Sequence, residues 1–184
     1  VLAMTKGIDR SRGVQAMAKA LQNSFDDILE ANTLDLEASR EMAVPEIIWE
    51  WLKLTPERLQ STIQILERIG ELSDPIRRVM NASYQLDHSQ AYCQLMPLGV
   101  IALIYEAFPE LGAIAAGFCI KTGNSLILRG GSEASQSNQV IAQALQTALD
   151  EVGLPDGCLE LLPSEQGTSI RDLVTQDRYL NLVI

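Results

Sequence analysis

The sequence is short of the residue types that most metal and redox centres need. Among 184 residues it has one histidine, His88, so a zinc site of the usual kind would lack ligands. Its three cysteines stand apart at 93, 119 and 158. They form no CxxC pair, and an odd, scattered set does not make a disulfide framework. We therefore expect no metal and a reducing, cytoplasmic setting. Positive charge is scarce as well: 14 Lys and Arg against 24 Asp and Glu leave a net charge of −10. An acidic chain repels a phosphate backbone, which disfavours nucleic acid as a partner. No apolar run approaches the roughly 20 residues that a membrane-spanning helix needs, so a membrane is not expected either. The phosphate-binding patterns GxGxxG and GxxxxGK[ST] are both missing.

What is present is apolar material, 47% of the residues, enough for one domain with a real core. The first half reads as helices. Val14, Met17, Ala18, Leu21, Phe25, Ile28 and Leu29 recur at three- and four-residue steps, predicting one amphipathic helix over 10–31. A short helix is expected from Pro45. Thr55-Pro56-Glu57 is a helix start, with a capping hydroxyl, proline at the first helical position and an acid at the positive end of the dipole. Leu59, Ile63, Leu66 and Ile69 or Leu72 form its buried face. Charged runs such as DDILE, DLEASRE and ERLQ read as solvated helix faces.

From 80 to 98 the pattern loosens into a polar hairpin or pair of extended arms, with Asp87-His88-Ser89 as its turn. Such arms often pack on a partner subunit, so a homo-oligomer is expected. Beyond residue 99 the pattern alternates: strand 99–107, small-residue helix 109–123, strand from 124, helix 132–153 with Ser132 or Ser135 as its cap and Gly153 as its stop, strand near 158–162, short helix, and a last strand ending at Ile184. Four strands alternating with three helices predict a βαβαβαβ unit, hence an open parallel, Rossmann-like sheet. The expected organisation is a helical segment 1–79, arms 80–98 and an α/β portion 99–184. The chain opens on Val1 and closes on an apolar strand, so we expect a fragment whose catalytic domain is missing.

The stretch with chemical content is Arg129-Gly130-Gly131-Ser132-Glu133, at the end of a predicted strand. Ligands of open α/β sheets sit beyond the carboxyl ends of the strands. Two glycines allow close backbone approach, and helix-start N–H groups and a guanidinium both suit phosphate. Glu133 could take ribose hydroxyls or serve the first helical turn. An ordinary strand-to-helix turn would use the same residues.

Longer segments add a resemblance. MPLGVIALIYEAFPE, then CIKTGNSLILRGGSEASQSN, then GLPDG is similar in order and spacing to the γ-glutamyl phosphate reductase (glutamate-5-semialdehyde dehydrogenase) branch of the aldehyde dehydrogenase superfamily. ANTLDLEA and LTPERL resemble that family's N-terminal helices. The resemblance implies an aldehyde dehydrogenase-like fold. It also implies an intact enzyme that reduces L-glutamyl 5-phosphate to glutamate 5-semialdehyde with NADPH, in proline biosynthesis. In that chemistry a cysteine thiolate displaces phosphate to give a thioester, which hydride transfer then resolves. By the same match Tyr105, Glu106 and Ala107 would line the cofactor channel. Arg129, Gly130, Gly131, Ser132 and Glu133 would meet the adenosine ribose and its 2′-phosphate. None of the three cysteines matches the family's nucleophile, which is expected downstream of Ile184.

Phe108, Glu110 and Ile114 depart from the family's usual arginine, asparagine and aspartate. Loss of a cation and gain of a carboxylate should weaken binding of an anionic acyl phosphate. Two alternatives therefore stand beside the reductase: a non-catalytic nucleotide-binding or assembly module, and a divergent aldehyde dehydrogenase with another substrate.

Overall fold

The computed structural model describes residues 2–76, 78–81, 92–164 and 170–184. Helix α1 (Gly7–Asn23) buries Val14, Met17, Ala18 and Leu21, and α2 (Phe25–Glu41) buries Ile28 and Ala31. The single helix predicted over 10–31 is thus two helices, interrupted at Ser24. Asn23 and Ser24 are poor helix formers, and Asp26 and Asp27 fall in the first turn of α2, where acids favour a new start. Helix α3 (Glu46–Leu52) has Pro45 as its N-cap. Helix α4 (Pro56–Glu71) starts as predicted: the Thr55 hydroxyl accepts from the Arg58 N–H at 3.2 Å. Its buried face ends at Ile69, while Leu72 is exposed.

Strands β1 (Val79–Asn81) and β2 (Tyr92–Gln94) pair antiparallel, as expected for a hairpin; its predicted turn at 87–89 lies outside the described residues. The α/β unit follows as β3 (Val100–Ile104), α5 (Pro109–Lys121), β4 (Ser125–Arg129), α6 (Ser135–Glu151), β5 (Leu159–Leu161), α7 (Ile170–Val174) and β6 (Leu182–Val183). All four strands are parallel, in the order β5-β4-β3-β6. Four strands and three helices alternate as the periodicity predicted. β3 is shorter than the run 99–107, and β6 shrinks to two residues at the exposed edge. The sheet order reverses at β3: β4 and β5 extend to one side, and β6 returns on the other. This places a switch point at the carboxyl end of β3.

One continuous core joins the helical half to the sheet. Val14, Leu21, Leu59 and Leu66 share it with Ile120, Leu126, Leu128 and Leu145. Helix α5 can lie close on α4 because Gly117 has no side chain; a Cβ there would meet Leu66 Cδ2 at 2.4 Å. The junction is pinned by buried cations. Arg10 donates to Asp74 at 2.6 Å, and Lys121 donates to Ser11 Oγ at 2.7 Å and to the Gly70 carbonyl at 2.8 Å. Burial lowers the Lys121 pKa, an effect that Asp74 partly opposes.

Candidate functional site

Two turns leave the carboxyl ends of the central strands. After β4 the chain runs through Gly130 and Gly131 into a single 3₁₀ turn, Ser132–Ala134, and then α6. Beside it a groove of about 450 Å³ opens between the first half of α6 and the end of β5. Gly130, Gly131, Gln136, Asn138, Gln139 and Ser164 are among its walls. A second groove of about 770 Å³ lies along α1, α2 and the outer face of α6, with no strand end in its walls. The first is the candidate, because strand ends and helix starts supply the directed polar groups of an α/β ligand site.

Arg129 stands at the rim. It donates to the carbonyl of Gly130 and, at 3.4 Å, to that of Ser164; its Nε is buried without a partner among the described residues. Its donors are therefore only partly used. Gly130 is required by packing: a Cβ would lie 2.1 Å from Asn138 Nδ2. Asn138 is itself buried and its Oδ1 accepts the Tyr105 hydroxyl at 3.0 Å. A Cβ on Gly131 would lie 2.8 Å from a Glu133 carboxylate oxygen and 3.1 Å from the Glu106 carbonyl. The two glycines thus bring the β3 and β4 turns together as well as opening the groove.

The eight residues singled out by resemblance fall into two sets. Arg129, Gly130, Gly131, Ser132 and Glu133 form the turn at the groove, with Ser132 exposed and Glu133 half-buried. Tyr105 and Ala107 are buried and only Glu106 of that segment is exposed. Desolvation drives the Tyr105 phenol pKa well upward, which keeps it a neutral donor to Asn138. The backbone still joins the sets: the Tyr105 N–H donates to the Arg129 carbonyl at 3.1 Å.

Two expectations about α6 and its neighbours need correction. Neither Ser132 nor Ser135 caps α6. The cap is Asp35 of α2, which accepts from the N–H groups of Gln136 at 3.0 Å and Ser137 at 2.8 Å. The helix-start amides offered above to a phosphate are therefore occupied. Asp35 belongs to DLEASRE, read as a solvated face, yet it is 3% exposed. Its pKa is raised by burial, against the pull of its bonds to Ser137 and Gln136. No local pattern announces this contact, since its partners lie 101 and 102 residues away.

The turn after β3 has another character. Phe108 precedes Pro109, the first residue of α5, and stacks on Trp51 with ring centroids 5.5 Å apart. The Arg58 guanidinium lies 5.8 Å from the Phe108 ring centroid and pairs with Glu110, its Nε donating at 3.0 Å. It also donates to the carbonyls of Trp51 and Lys53. Glu110 is thus paired through Oε1, while its buried Oε2 has no partner among the described residues. Trp49 turns to the other side, donating to the Leu36 carbonyl at 3.3 Å with Arg40 over its ring.

Cys119 and Cys158 are buried, and burial pushes each thiol up to about 11; nearby carboxylates add to the effect at Cys158. Such thiols stay protonated near neutrality. Cys93 is exposed on β2, and His88 lies outside the described residues. Among the described residues, no helix is long and apolar enough to cross a membrane.

Comparison with known proteins bears on this arrangement. The sequence pattern of the aldehyde dehydrogenase family matches residues 2–184. Gamma-glutamyl phosphate reductase 2 of Synechocystis sp. is 57% identical over 178 residues, covering 97% of this chain and 42% of the relative. The gamma-glutamyl phosphate reductase of Gloeobacter violaceus is 40% identical, over 95% of this chain and 42% of its own length. The crystal structure of the Thermotoga maritima gamma-glutamyl phosphate reductase superposes with a TM-score of 0.89 at 29% identity, over 99% of this chain and 44% of that one. The chain spans about two-fifths of the length of the curated relatives it matches.

Proposed function

Since this chain belongs to the aldehyde dehydrogenase family, we propose that it is the cofactor-binding part of a γ-glutamyl phosphate reductase. The full-length protein would reduce L-glutamyl 5-phosphate to L-glutamate 5-semialdehyde with NADPH, in the cytoplasm and in proline biosynthesis. The observation that carries the reading is the groove at the carboxyl ends of β4 and β5, walled by Gly130 and Gly131 and rimmed by a partly used Arg129. The kinship to named reductases supports the reaction.

The residues present fit a nicotinamide nucleotide. Arg129 is the cation for a ribose 2′-phosphate, and Glu133 and the Ser132 hydroxyl are acceptors for sugar hydroxyls. The Glu106–Ala107 segment lies at the switch point, where the other end of a dinucleotide would reach. When bound, NADPH supplies the hydride. This chain's residues hold and orient it; the thiol nucleophile is proposed to lie outside these 184 residues, because Cys119 and Cys158 are buried and protonated and Cys93, on the two-stranded β1–β2 sheet, lines no part of the groove. The helical segment 1–79 would buttress the groove through α1, α2 and α4, and the arms of 80–98 would serve a homo-oligomer.

Titration of the full-length protein with NADPH and NADH tests the reading. Saturable binding with NADPH preferred supports it, and absence of binding to either rejects it.

One observation favours a second reading, an aldehyde dehydrogenase with a different substrate. The cation nearest the β3 turn, Arg58, is taken up by Glu110, and Phe108 presents a ring there. Phe108→Arg should raise kcat/KM for the acyl phosphate if that position faces substrate; an unchanged value, with an uncharged aldehyde preferred, supports the second reading.

A further inference from the structure

A helix start bares N–H groups whose dipoles favour an anion. At α6, beside the groove, that place is filled from within the protein. Asp35 accepts from the N–H groups of Gln136 and Ser137, and from the Ser137 hydroxyl at 2.6 Å. Asn32, one turn earlier on α2, donates from Nδ2 to Ser137 Oγ at 3.2 Å and to the Leu52 carbonyl at 2.9 Å. Its Oδ1 accepts the Leu54 N–H at 2.8 Å. Asn32, Asp35 and Ser137 are all buried. Desolvating a carboxylate is unfavourable unless its lone pairs are satisfied, and three donors from one helical turn satisfy them here. No side chain adjoining α6 in sequence caps it, so this turn depends on α2 for its anchor.

We propose that Asp35, which lines no part of the groove, is its positioning residue. It fixes the first turn of α6, and with it Gln136, Asn138 and Gln139 on the groove wall. By occupying the anion position it keeps a ligand phosphate from being held at that helix start. The inference deepens the functional reading above and rests on it, because the groove's ligand is taken to be a nicotinamide nucleotide.

The test uses the full-length protein with Asp35→Ala and Asp35→Asn, NADPH as the nucleotide and formate as a small replacement anion. Asp35→Ala should weaken NADPH binding by about tenfold, while kcat at saturating NADPH stays within about twofold of the parent. Formate should restore the affinity and raise the Tm of Asp35→Ala, and leave the parent protein unmoved. A residue that merely packs would not be replaced by a free anion. Asp35→Asn keeps the shape and one acceptor but loses the charge, so its affinity should fall between the two and ignore formate. If Asp35→Ala folds only in formate, that dependence itself supports the cap, and Asp35→Asn then carries the affinity measurement. Parent-like NADPH affinity in both variants overturns the proposal, as does an equal response of parent and Asp35→Ala to formate. Failure of the parent protein to bind NADPH rejects the functional reading instead, while the formate-dependent Tm of Asp35→Ala still decides whether Asp35 stands in for an anion.

Discussion

The turns after β3 and β4 occupy equivalent places in the sheet and are built in opposite ways. The β3 turn is filled by its own protein: Phe108 on Trp51, Arg58 on Glu110, Pro109 leading straight into α5. The β4 turn carries two glycines and opens a groove, with its helix capped from α2. Strand position alone therefore does not make a ligand site. What differs is whether side chains fill the space at the strand end, as Phe108, Trp51 and Arg58 do after β3, or glycines leave it open, as Gly130 and Gly131 do after β4.

The largest effect should come from closing the open turn. Gly130→Ala would drive a methyl into Asn138 and break its bond to the Tyr105 hydroxyl. Overpacking together with a buried hydrogen bond lost should cost roughly 2–4 kcal/mol, read as a fall in urea midpoint. A parent-like midpoint would mean that Asn138 moves freely, and that the open turn is looser than the filled one.

The closed turn is tested through its ion pair. Arg58 and Glu110 are mostly covered, so each single alanine variant should cost about 1–3 kcal/mol. A double-mutant cycle should return a coupling of about 1–2 kcal/mol after discount for the exposure of Arg58. Zero coupling would show that the ion pair adds nothing to the Phe108–Trp51 stacking and the Arg58 bonds to the Trp51 and Lys53 carbonyls.

These two turns also mark how far the sequence could be read. The Thr55-Pro56 start, the apolar β3 and β4 runs and the small-residue helix between them are local patterns, and they fold as periodicity and capping chemistry require. The groove-side turn was legible as Arg129 to Glu133 for the same reason. Ser24 was not, because Phe25, Ile28 and Leu29 continue the stripe of α1 in register across the break. Asp35 was hidden in a charged run whose other members are mostly solvated, and Arg58 in another. Both find partners 52 or more residues away. A contact that tertiary folding creates leaves no periodic trace in either segment.

A smaller effect separates the turns by ligand. Arg129→Ala should raise the Kd for NADPH by about tenfold and for NADH by no more than about twofold, since one charge-assisted contact is worth on the order of 1.5 kcal/mol. Equal losses for both nucleotides would assign Arg129 to the carbonyls of Gly130 in its own turn and of Ser164 after β5, making the open turn as self-contained as the closed one.

The smallest expected effect compares one thiol from each side. Cys119 lies in the last turn of α5, and Cys158 directly precedes β5, at the strand end opposite the groove. Both thiols are pushed up to about 11 from an ordinary value of 9.0. The folded value exceeds the unfolded one, so the stabilising contribution is fully present below pH 9 and is lost as pH rises through about 11. Tm should therefore decline above pH 9, and less steeply in Cys119→Ser or Cys158→Ser. Burial is the first cause at both sites, but only Cys158 also faces carboxylates, at Asp150, Glu160 and Asp156. Salt screens those charges and leaves burial untouched. Thiolate absorbance followed against pH should shift downward in salt for Cys158, with Cys93 and Cys119 replaced, and stay fixed for Cys119, with Cys93 and Cys158 replaced. A salt shift of equal size at both would mean that charged groups act on Cys119 as they do on Cys158, and that burial is not its only cause.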